Sequence, residues 1–295
     1  MTIRPPTLKA AVIGAGMLGI DLTERIHRSP LLACALVAGR PGTAGLRMAA
    51  RMGCATSTAG IDAVLDARER IDVVFDASNA LEQATHHERL STSDVLLVDL
   101  TPGSAGTTIV PTVNAALAET SRHLGLVSCG GQAVLPLLHA LTGHCTPRYV
   151  EVVTTAASAS AGRATRSNLD EYLDTTETAI RRLTRAADVK VLANISPALP
   201  APPFRAQVTV IARDIRPDPV HAAVAAAAEA VRAFAPGYTV TALAVDDETI
   251  RVGVEVTALS GGRLPHHAGN VEIINAAAVL VAERHAAART KRGHR

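Results

Sequence analysis

A cysteine followed by two glycines is the strongest candidate for chemistry in the sequence. Cys129 lies between an apolar run that reads as a strand, residues 124–127, and one long enough to begin a helix, residues 134–141. At such a junction the unpaired N–H groups of the helix point at the sulfur, which lowers the thiol pKa from about 8.5 and favours thiolate. Gly130 and Gly131 allow a tight turn, and the pair is hard to explain as packing. The pattern predicts a catalytic thiolate, with a buried structural cysteine as the alternative.

A glycine-rich turn near the start of the sequence forms a second candidate site. Residues 9–13 read as a buried strand, and Gly14-Ala15-Gly16-Met17-Leu18-Gly19 follows at once, before an amphipathic run. In a dinucleotide-binding unit Gly14 allows the turn, Gly16 admits the pyrophosphate, and Gly19 lets the helix lie close to the strand. The alternative is a glycine-rich turn without a ligand.

The end of the second strand bears on the choice of cofactor. An acidic residue at this place binds the adenosine ribose of NAD, but residues 31–37 are followed by Ala38-Gly39-Arg40. An arginine here accommodates a 2′-phosphate, so Arg40 favours NADP or a relaxed choice between NADP and NAD. The alternative is that Arg40 is a solvated turn residue.

The order of predicted elements indicates two domains. Strand and helix signals alternate through residues 1–130, which predicts an α/β Rossmann-type, doubly wound parallel sheet, completed by a C-terminal helix at 268–295. Residues 131–267 contain longer strands and two long helices, which predict a second α+β domain with a mixed or antiparallel sheet for substrate binding and dimerisation. Because ligands bind at the carboxyl ends of parallel strands, Cys129 is expected on the cofactor side of the first sheet.

The composition argues against several classes of function. The 295 residues include 29 basic and 27 acidic side chains, so the formal charge of +2 favours neither nucleic acid nor an anionic membrane as a partner. Trp is absent, and no apolar run approaches the roughly 20 residues of a membrane span. The cysteines match neither a zinc pattern nor a disulfide framework, which fits a cytoplasmic protein. They are Cys34, Cys54, Cys129 and Cys145.

Four motifs in the same order resemble the acylating, CoA-dependent acetaldehyde dehydrogenase family, and the resemblance covers nearly the whole length. The motifs are Val98-Asp99-Leu100-Thr101-Pro102, Ser128-Cys129-Gly130-Gly131-Gln132-Ala133, Ser160-Ala161-Gly162-Arg163-Ala164-Thr165-Arg166-Ser167-Asn168-Leu169-Asp170-Glu171 and Leu264-Pro265-His266-His267-Ala268-Gly269-Asn270. The resemblance implies that Cys129 is the acyl-thioester nucleophile. It further implies a small aldehyde and CoA as substrates, a homodimer, and commonly an aldolase partner that passes the aldehyde through a tunnel.

The resemblance also implies which residues contact the nicotinamide cofactor, NAD or NADP. They are the turn at Gly16-Met17-Leu18-Gly19, the asparagine Asn270, and a loop. The loop comprises Ser160, Ala161, Gly162, Arg163, Ala164, Thr165, Arg166, Ser167 and Asn168.

The predicted reaction begins with attack of the Cys129 thiolate on an aldehyde, followed by hydride transfer and cleavage of the acyl-enzyme by CoA. Main-chain N–H groups after Cys129, with Gln132 or Asn114 as side-chain donors, are candidates to hold the oxyanion, although amides in turns often only satisfy the backbone. His266 or His267 is a candidate base, and an exposed loop pair is the alternative.

Several residues depart from the family pattern around the site. Arg40 stands where the family usually has an aspartate, Ala206 where it has an aspartate near the active site, and Arg163-Ala164 where it has Gly-Pro. Two other readings stay open: a semialdehyde dehydrogenase with phosphate or water as acyl acceptor, and an inactive cofactor-binding subunit. Retention of Cys129 weighs against the inactive subunit.

Overall fold

The structure is a computed structural model that describes residues 7–103 and 105–292. The chain forms two compact units. The first contains the described residues up to Leu126 together with those from Asn275 onward, and the second comprises Val127–Ile274. Each unit is organised around its own sheet.

The first unit is built on a seven-stranded sheet. Its strands are β1 (Leu8–Ile13), β2 (Leu32–Ala38), β3 (Ala55–Ser57), β4 (Val73–Asp76), β5 (Leu96–Asp99), β6 (Thr107–Ile109) and β7 (His123–Leu126). They lie in the order β3-β2-β1-β4-β5-β7-β6, and all neighbouring pairs are parallel. β4 and β5 consist of buried residues only, as expected for central strands of a sheet covered on both faces. The order reverses between β1 and β4, and such a switch point is where these sheets bind ligands.

Helices connect the strands of the first unit. They are α1 (Met17–Arg28), α2 (Ala44–Arg51), α3 (Ile61–Leu65), α4 (Ala80–Leu90) and α5 (Leu117–Thr120). α1 follows the glycine-rich turn and buries Leu22 and Ile26 completely. Thr43 and Asn79 begin α2 and α4, because their side-chain oxygens accept main-chain N–H groups that would otherwise lack a partner.

The second unit is built on a five-stranded mixed sheet. Its helices are α6 (Cys129–Leu141), α7 (Arg163–Ser167), α8 (Leu169–Thr184) and α9 (Pro217–Arg232), and α10 (Gly269–Arg292) begins in this unit. Its strands are β8 (Thr146–Ala157), β9 (Asp188–Ser196), β10 (Phe204–Arg213), β11 (Tyr238–Val245) and β12 (Thr249–Val256). Their order is β11-β12-β10-β8-β9, with β8 and β9 parallel and the other pairs antiparallel.

The two faces of this second sheet differ in polarity. Val152, Val208 and Val252 lie side by side in register and are buried, and α6 packs against β10 and β12. The alternate residues of β10 point the other way, and Arg205 and Ile211 among them are exposed. This alternation follows from the two-residue period of a strand with one covered face.

The predicted fold class is confirmed in both parts, a Rossmann-type parallel sheet and a mixed α+β unit. β6 and α5 were not predicted, because both are short and have little apolar periodicity. The helix predicted from residue 134 begins earlier, at Cys129, and carries Pro136 inside it. Within residues 7–103 and 105–292, no helix combines the length and the apolar character that a membrane crossing needs.

Candidate active site

The predicted strand-to-helix junction at Cys129 is confirmed. β7 ends at Leu126 and α6 begins at Cys129, with Ser128 as its N-cap. The Ser128 hydroxyl oxygen accepts the main-chain N–H of Gly131 at 3.0 Å, and its carbonyl accepts that of Gln132 at 2.8 Å. These bonds satisfy N–H groups of the first helical turn and hold the sulfur at the helix N-terminus.

A chain of hydroxyl groups anchors this N-cap to α8. Thr176 donates its hydroxyl proton to the carbonyl of Tyr172 at 2.6 Å, as it must because a carbonyl only accepts. The Ser128 and Thr176 hydroxyl oxygens are 2.6 Å apart, so Ser128 is the donor of that bond. The direction of each bond is thereby determined, and the start of α6 is attached to a helix that lies 40 residues further along the chain.

Tyr172 contacts the sulfur itself, and sequence reasoning missed it. Its hydroxyl oxygen lies 3.7 Å from Cys129 Sγ and accepts the N–H of Gly130 at 3.1 Å. It also lies 3.5 Å from Thr154 Oγ1 on β8. A tyrosine on an amphipathic helix reads as a core residue, and nothing in the local sequence signals a contact across 43 positions.

The two glycines after Cys129 are explained by close packing. A Cβ atom on Gly130 would collide with the Tyr172 hydroxyl and the Thr154 methyl group, and one on Gly131 would collide with the Val127 side chain. The interpretation that this pair is hard to explain as packing is therefore wrong. Gly130 lets the tyrosine hydroxyl reach the start of the helix.

The pKa of the cysteine differs from the prediction. Burial raises the pKa of the Cys129 thiol to about 11, although the Tyr172 hydroxyl and the main-chain N–H groups of Gly130 and Cys129 itself lower it. The prediction of a lowered pKa is wrong because the cost of burying a charge exceeds what the helix N-terminus returns. The residue still keeps part of its surface exposed. The sulfur is a neutral thiol that must lose its proton before it attacks.

The predicted oxyanion donors all have partners in the protein. The N–H groups of Gly130, Gly131 and Gln132 are bonded as described above, and Gln132 Nε2 donates to the Val127 carbonyl at 3.5 Å. Asn114 lies in the first unit, where its Oδ1 accepts the Val110 N–H at 2.8 Å and its Nδ2 donates to the Thr108 carbonyl at 2.9 Å. An oxyanion would have to displace one of these partners.

The glycine-rich turn of the first unit is closely packed at Gly14 and Gly19 and open at Gly16. Gly14 has a φ of +105°, and a Cβ there would collide with the Ala77 carbonyl. A Cβ on Gly19 would collide with the Gly14 carbonyl, whereas Gly16 faces open space. Gly16 caps α1 without a side-chain hydrogen bond, so the start of this helix is open to an anion.

The residues around this turn hold it in place and leave its outer side accessible. Met17 is exposed, and the Leu18 carbonyl accepts a 2.9 Å hydrogen bond from Asn275 on α10. Arg40 follows the end of β2 and is exposed, and its carbonyl accepts the Thr43 hydroxyl at 3.0 Å. No acidic residue follows β2 before Arg40.

The second unit brings the predicted cofactor loop and Asn270 into direct contact. Asn270 Nδ2 donates to the Ser160 carbonyl at 3.1 Å across 110 positions of sequence. Asn270 Oδ1 is buried and has no hydrogen-bond partner among the described residues. Arg166 closes the loop by donating to the carbonyls of Ala161 and Ser158 at 3.1 and 3.0 Å.

The remaining residues of this loop differ in their accessibility. Ser160, Ala161 and Asn168 are buried, Thr165 is half-buried, and Gly162, Arg166 and Ser167 are exposed. The side chains of Arg163 and Ala164 lie outside the described part of the chain.

Ala206 and the candidate bases His266 and His267 lie in different surroundings in the second unit. Ala206 is fully buried on β10, directly opposite Thr154 in register, so it supplies no polar group beside that hydroxyl. His266 is exposed, and its carbonyl accepts the Ala258 N–H at 3.0 Å. His267 Nε2 is buried without a partner among the described residues.

A buried acidic cluster at the carboxyl ends of β4 and β5 was also missed. Asp76 binds His86 Nδ1 at 2.6 Å, and Asp99 accepts Gln83 Nε2 at 2.5 Å and the Thr101 hydroxyl at 2.7 Å. Burial, followed by the charge of Asp76, raises the pKa of Asp99 to about 6. The signal in the sequence is that both strands end in aspartate. Among the described residues, no three histidine, cysteine or acidic side chains are placed to hold a metal ion.

The fold and the site define a class of protein. A sheet of this topology with a G-x-G-x-x-G turn, in a chain whose second unit carries a cysteine at the start of a helix, is typical of nicotinamide-dependent dehydrogenases. The chain resembles a crystal structure of aspartate semialdehyde dehydrogenase II complexed with ASA from Vibrio cholerae, with a TM-score of 0.65 and coverage of 94% of this chain and 98% of the other. The sequence identity is 13%, so this likeness concerns the fold alone.

Sequence comparisons identify the family. The model for the dimerisation region of prokaryotic acetaldehyde dehydrogenase matches residues 129–265. An acetaldehyde dehydrogenase from Streptomyces griseus subsp. griseus is 49% identical over 96% of this chain and 93% of its own length. One from Pectobacterium atrosepticum is 38% identical over 96% of this chain and 97% of its own length. The chain belongs to the acetaldehyde dehydrogenase family, and it is therefore an oxidoreductase that uses a nicotinamide cofactor.

Proposed function

We propose that the protein is an acylating aldehyde dehydrogenase, which converts a short-chain aldehyde, CoA and NAD(P)⁺ to acyl-CoA and NAD(P)H through a thioester on Cys129. The observation that carries the proposal is the placement of this thiol at the N-terminus of α6, in contact with the Tyr172 hydroxyl. The aldehyde class comes from the names of the relatives.

The protein's part in the reaction centres on the sulfur. Cys129 loses its proton and attacks the carbonyl carbon, which forms a C–S bond and an oxyanion that is protonated to a thiohemiacetal. A nicotinamide held by the protein would accept the hydride from the carbon of this adduct, and release of the hydroxyl proton to solvent would leave the thioester. The thiol of CoA then attacks the thioester carbonyl and releases Cys129 as a thiolate. No net water is consumed, because the second thiol takes the place that water has in a hydrolytic dehydrogenase.

Each unit contains described residues that suit one part of a nicotinamide dinucleotide. We propose that the turn at Gly14, Gly16 and Gly19 holds the pyrophosphate, because it combines an open helix start with space that only a glycine leaves. In the second unit, the buried Asn270 Oδ1 lacks a donor, and the carboxamide of a nicotinamide ring carries an N–H₂ group that would supply one. We propose that the loop at residues 160–168 also contacts the nicotinamide cofactor, because Asn270 donates to the Ser160 carbonyl of this loop.

Gln132 is the better of the two proposed oxyanion donors. It lies one helical turn after Cys129 in the same unit, and its Nε2 donates to the Val127 carbonyl at 3.5 Å. Asn114 would have to give up a 2.9 Å bond to the Thr108 carbonyl instead.

The exposed Arg40 supports NADP as a cofactor alongside NAD. With a guanidinium after β2 and no acid there, a 2′-phosphate gains an ion pair and a ribose hydroxyl loses its acceptor. We expect Arg40→Asp to shift the ratio of kcat/KM for NADP to that for NAD about tenfold or more towards NAD. Arg47→Asp, a nearby exposed change on α2, serves as the control. An unchanged ratio in Arg40→Asp would remove the argument for NADP.

We also propose a homodimer formed through residues 131–267. The outer face of the second sheet supports this, since Leu192 and Ile211 are 43% and 39% exposed there and the face alternates with the buried one. An aldolase partner is proposed from the family resemblance only.

A spectrophotometric assay tests the proposed reaction. With a short aldehyde and NAD(P)⁺, we expect NAD(P)H formation that depends on CoA. Formation that depends on phosphate or proceeds in water would instead identify a semialdehyde-type dehydrogenase. Absence of turnover with intact cofactor binding would identify an inactive cofactor-binding subunit.

A further inference from the structure

We propose that the Tyr172 hydroxyl is the hydrogen-bond donor that stabilises the Cys129 thiolate, which makes Tyr172 a catalytic residue of this site. The inference rests on the proposed function where it treats the thiolate as the nucleophile of the reaction. The hydrogen bond itself is a property of the protein alone and does not depend on that function.

The first support is the position of the hydroxyl. Tyr172 Oη lies 3.7 Å from Cys129 Sγ, and the N–H of Gly130 fixes the oxygen from the helix side at 3.1 Å. Tyr172 is buried, and a Cβ on Gly130 would occupy the place of its hydroxyl. The chain therefore keeps a glycine at this point and brings a polar group to the reacting sulfur.

The second support is a count of protons. Tyr172 has one hydroxyl proton, and Thr154 Oγ1 at 3.5 Å can accept it because Thr154 donates its own proton to the Leu192 carbonyl at 3.3 Å. While Cys129 is a thiol, its S–H points at the tyrosine oxygen and the tyrosine proton points at Thr154. Once the sulfur is ionised it can only accept, so the tyrosine proton turns towards it. The hydroxyl thus has an acceptor in both states of the cysteine.

The third support is electrostatic. Burial and the neighbouring sulfur raise the pKa of the Tyr172 hydroxyl far above its usual range, so the tyrosine keeps its proton while the cysteine titrates. Among the described residues, the groups that lower the pKa of Cys129 are this hydroxyl, which has the largest effect, and the N–H groups of Gly130 and Cys129 itself. No charged side chain is among them.

The test measures ionisation of the sulfur without any substrate. The rate of alkylation of Cys129 by iodoacetamide is followed from pH 7 to 10 by peptide mass spectrometry, which separates it from the other cysteines. Because only the thiolate reacts, the rate reports its fraction. We expect Tyr172→Phe to slow alkylation about tenfold at pH 8, the effect of one unit of pKa. Tyr238→Phe is the matched control, since this buried tyrosine donates to the Ala133 carbonyl of the same helix at 2.7 Å, and we expect no change in the rate.

A second variant predicts a change of opposite sign. Thr154→Val removes the oxygen that competes for the tyrosine proton while keeping the shape of the side chain, so we expect alkylation about threefold faster at pH 8. General loosening of the site would not produce a slower rate in one variant and a faster rate in the other. If Tyr172→Phe does not fold, Thr154→Val decides the question alone.

The outcomes separate this inference from the proposed function. Slower alkylation in Tyr172→Phe and faster alkylation in Thr154→Val support the inference, even if no aldehyde is oxidised and the proposed function fails. Wild-type alkylation rates across the pH range in a folded Tyr172→Phe, or in Thr154→Val when that variant alone is available, overturn the inference, whatever the turnover.

Discussion

Each unit has a titratable group at or shortly after the end of a strand, Asp99 in the first and Cys129 in the second, and the two groups are held differently. In the first unit, Asp99 accepts bonds of 2.5 to 2.8 Å from Gln83 and from both the N–H and the hydroxyl of Thr101. In the second, the side-chain hydrogen bond that Cys129 makes within residues 7–103 and 105–292 is to one hydroxyl, at 3.7 Å. Burial raises the pKa of both groups. The carboxylate holds the residues that follow β5, whereas the sulfur meets one hydroxyl group and belongs to a residue that keeps part of its surface exposed.

Asp76, the neighbouring aspartate of the first unit, also holds the segment that follows its strand. Asp76 accepts the N–H and the hydroxyl of Ser78 at 3.0 and 2.6 Å and binds His86 on its other oxygen. These bonds fix the segments after β4 and β5, at the carboxyl ends of two central strands. The oxygens of both aspartates are engaged by neighbouring groups and so serve positioning, whereas the Cys129 sulfur meets a hydroxyl at a distance that is ordinary for sulfur.

The largest effect expected is the loss of turnover in Cys129→Ser. A serine hydroxyl is a far weaker nucleophile than a thiolate, so we expect kcat for aldehyde oxidation to fall by about 10⁴-fold or more. Thermal unfolding should stay close to that of the wild type, because the change is nearly isosteric. Turnover within tenfold of the wild type would show that the sulfur is structural and would break the comparison.

A smaller loss is expected when the contact at the sulfur is disturbed. Gly130→Ala places a methyl group where the Tyr172 hydroxyl lies, and a displacement of about 1 Å in a catalytic site can cost about 100-fold in rate. We therefore expect kcat to fall about 10- to 100-fold. Gly143→Ala is the control, because no atom lies within 4 Å of a Cβ there, and it should keep full activity. Equal activity of the two variants would show that close packing at Gly130 has no part in catalysis.

The smallest effect concerns the pH dependence of stability through Asp99. A pKa raised to about 6 means that folding favours the neutral acid. This stabilising contribution is present below pH 4 and is lost as the pH rises through 6. Between pH 4.5 and pH 8 the wild type should lose this contribution, and Asp99→Asn, which does not titrate at this position, should not. The unfolding free energy of Asp99→Asn, compared with that of the wild type, should therefore be higher at pH 8 than at pH 4.5 by about 1–3 kcal/mol. Denaturant unfolding at the two pH values measures it.

The control for this prediction is Asp66→Asn, an exposed carboxylate at the end of α3 in the same unit. It should follow the pH dependence of the wild type. If the unfolding free energy of Asp99→Asn also follows the wild-type pH dependence, burial does not raise the pKa of Asp99, and the comparison with Cys129 fails.

Much of the fold could be predicted from the sequence because it depends on local patterns. The apolar run and the glycine turn at residues 9–19 predicted β1 and α1, and the longer strand candidates from residue 148 onward, with two long helices between them, predicted the mixed sheet. Strand ends were less predictable: both ends of β2 were displaced by one residue, from 31–37 to Leu32–Ala38. β6 was missed because its three residues, 107–109, are too few to show a period.

The site was predictable in its nucleophile and not in what surrounds it. A cysteine before two glycines is visible in sequence, and so is its place at a helix start. The contact of Tyr172 with Cys129 depends on how α8 packs beside α6, which no local pattern encodes. The raised thiol pKa was missed for the same reason, since the burial that raises it is a property of the packed unit.

The most direct test of the account is the mass of Cys129 during the reaction. The enzyme is incubated with acetaldehyde and NADP⁺ or NAD⁺ without CoA, quenched in acid and mapped by peptide mass spectrometry. We predict that the peptide containing Cys129 gains one acyl group, that Cys34, Cys54 and Cys145 do not, and that CoA removes the group. Formation of reduced cofactor with an unmodified Cys129 peptide would contradict the central claim.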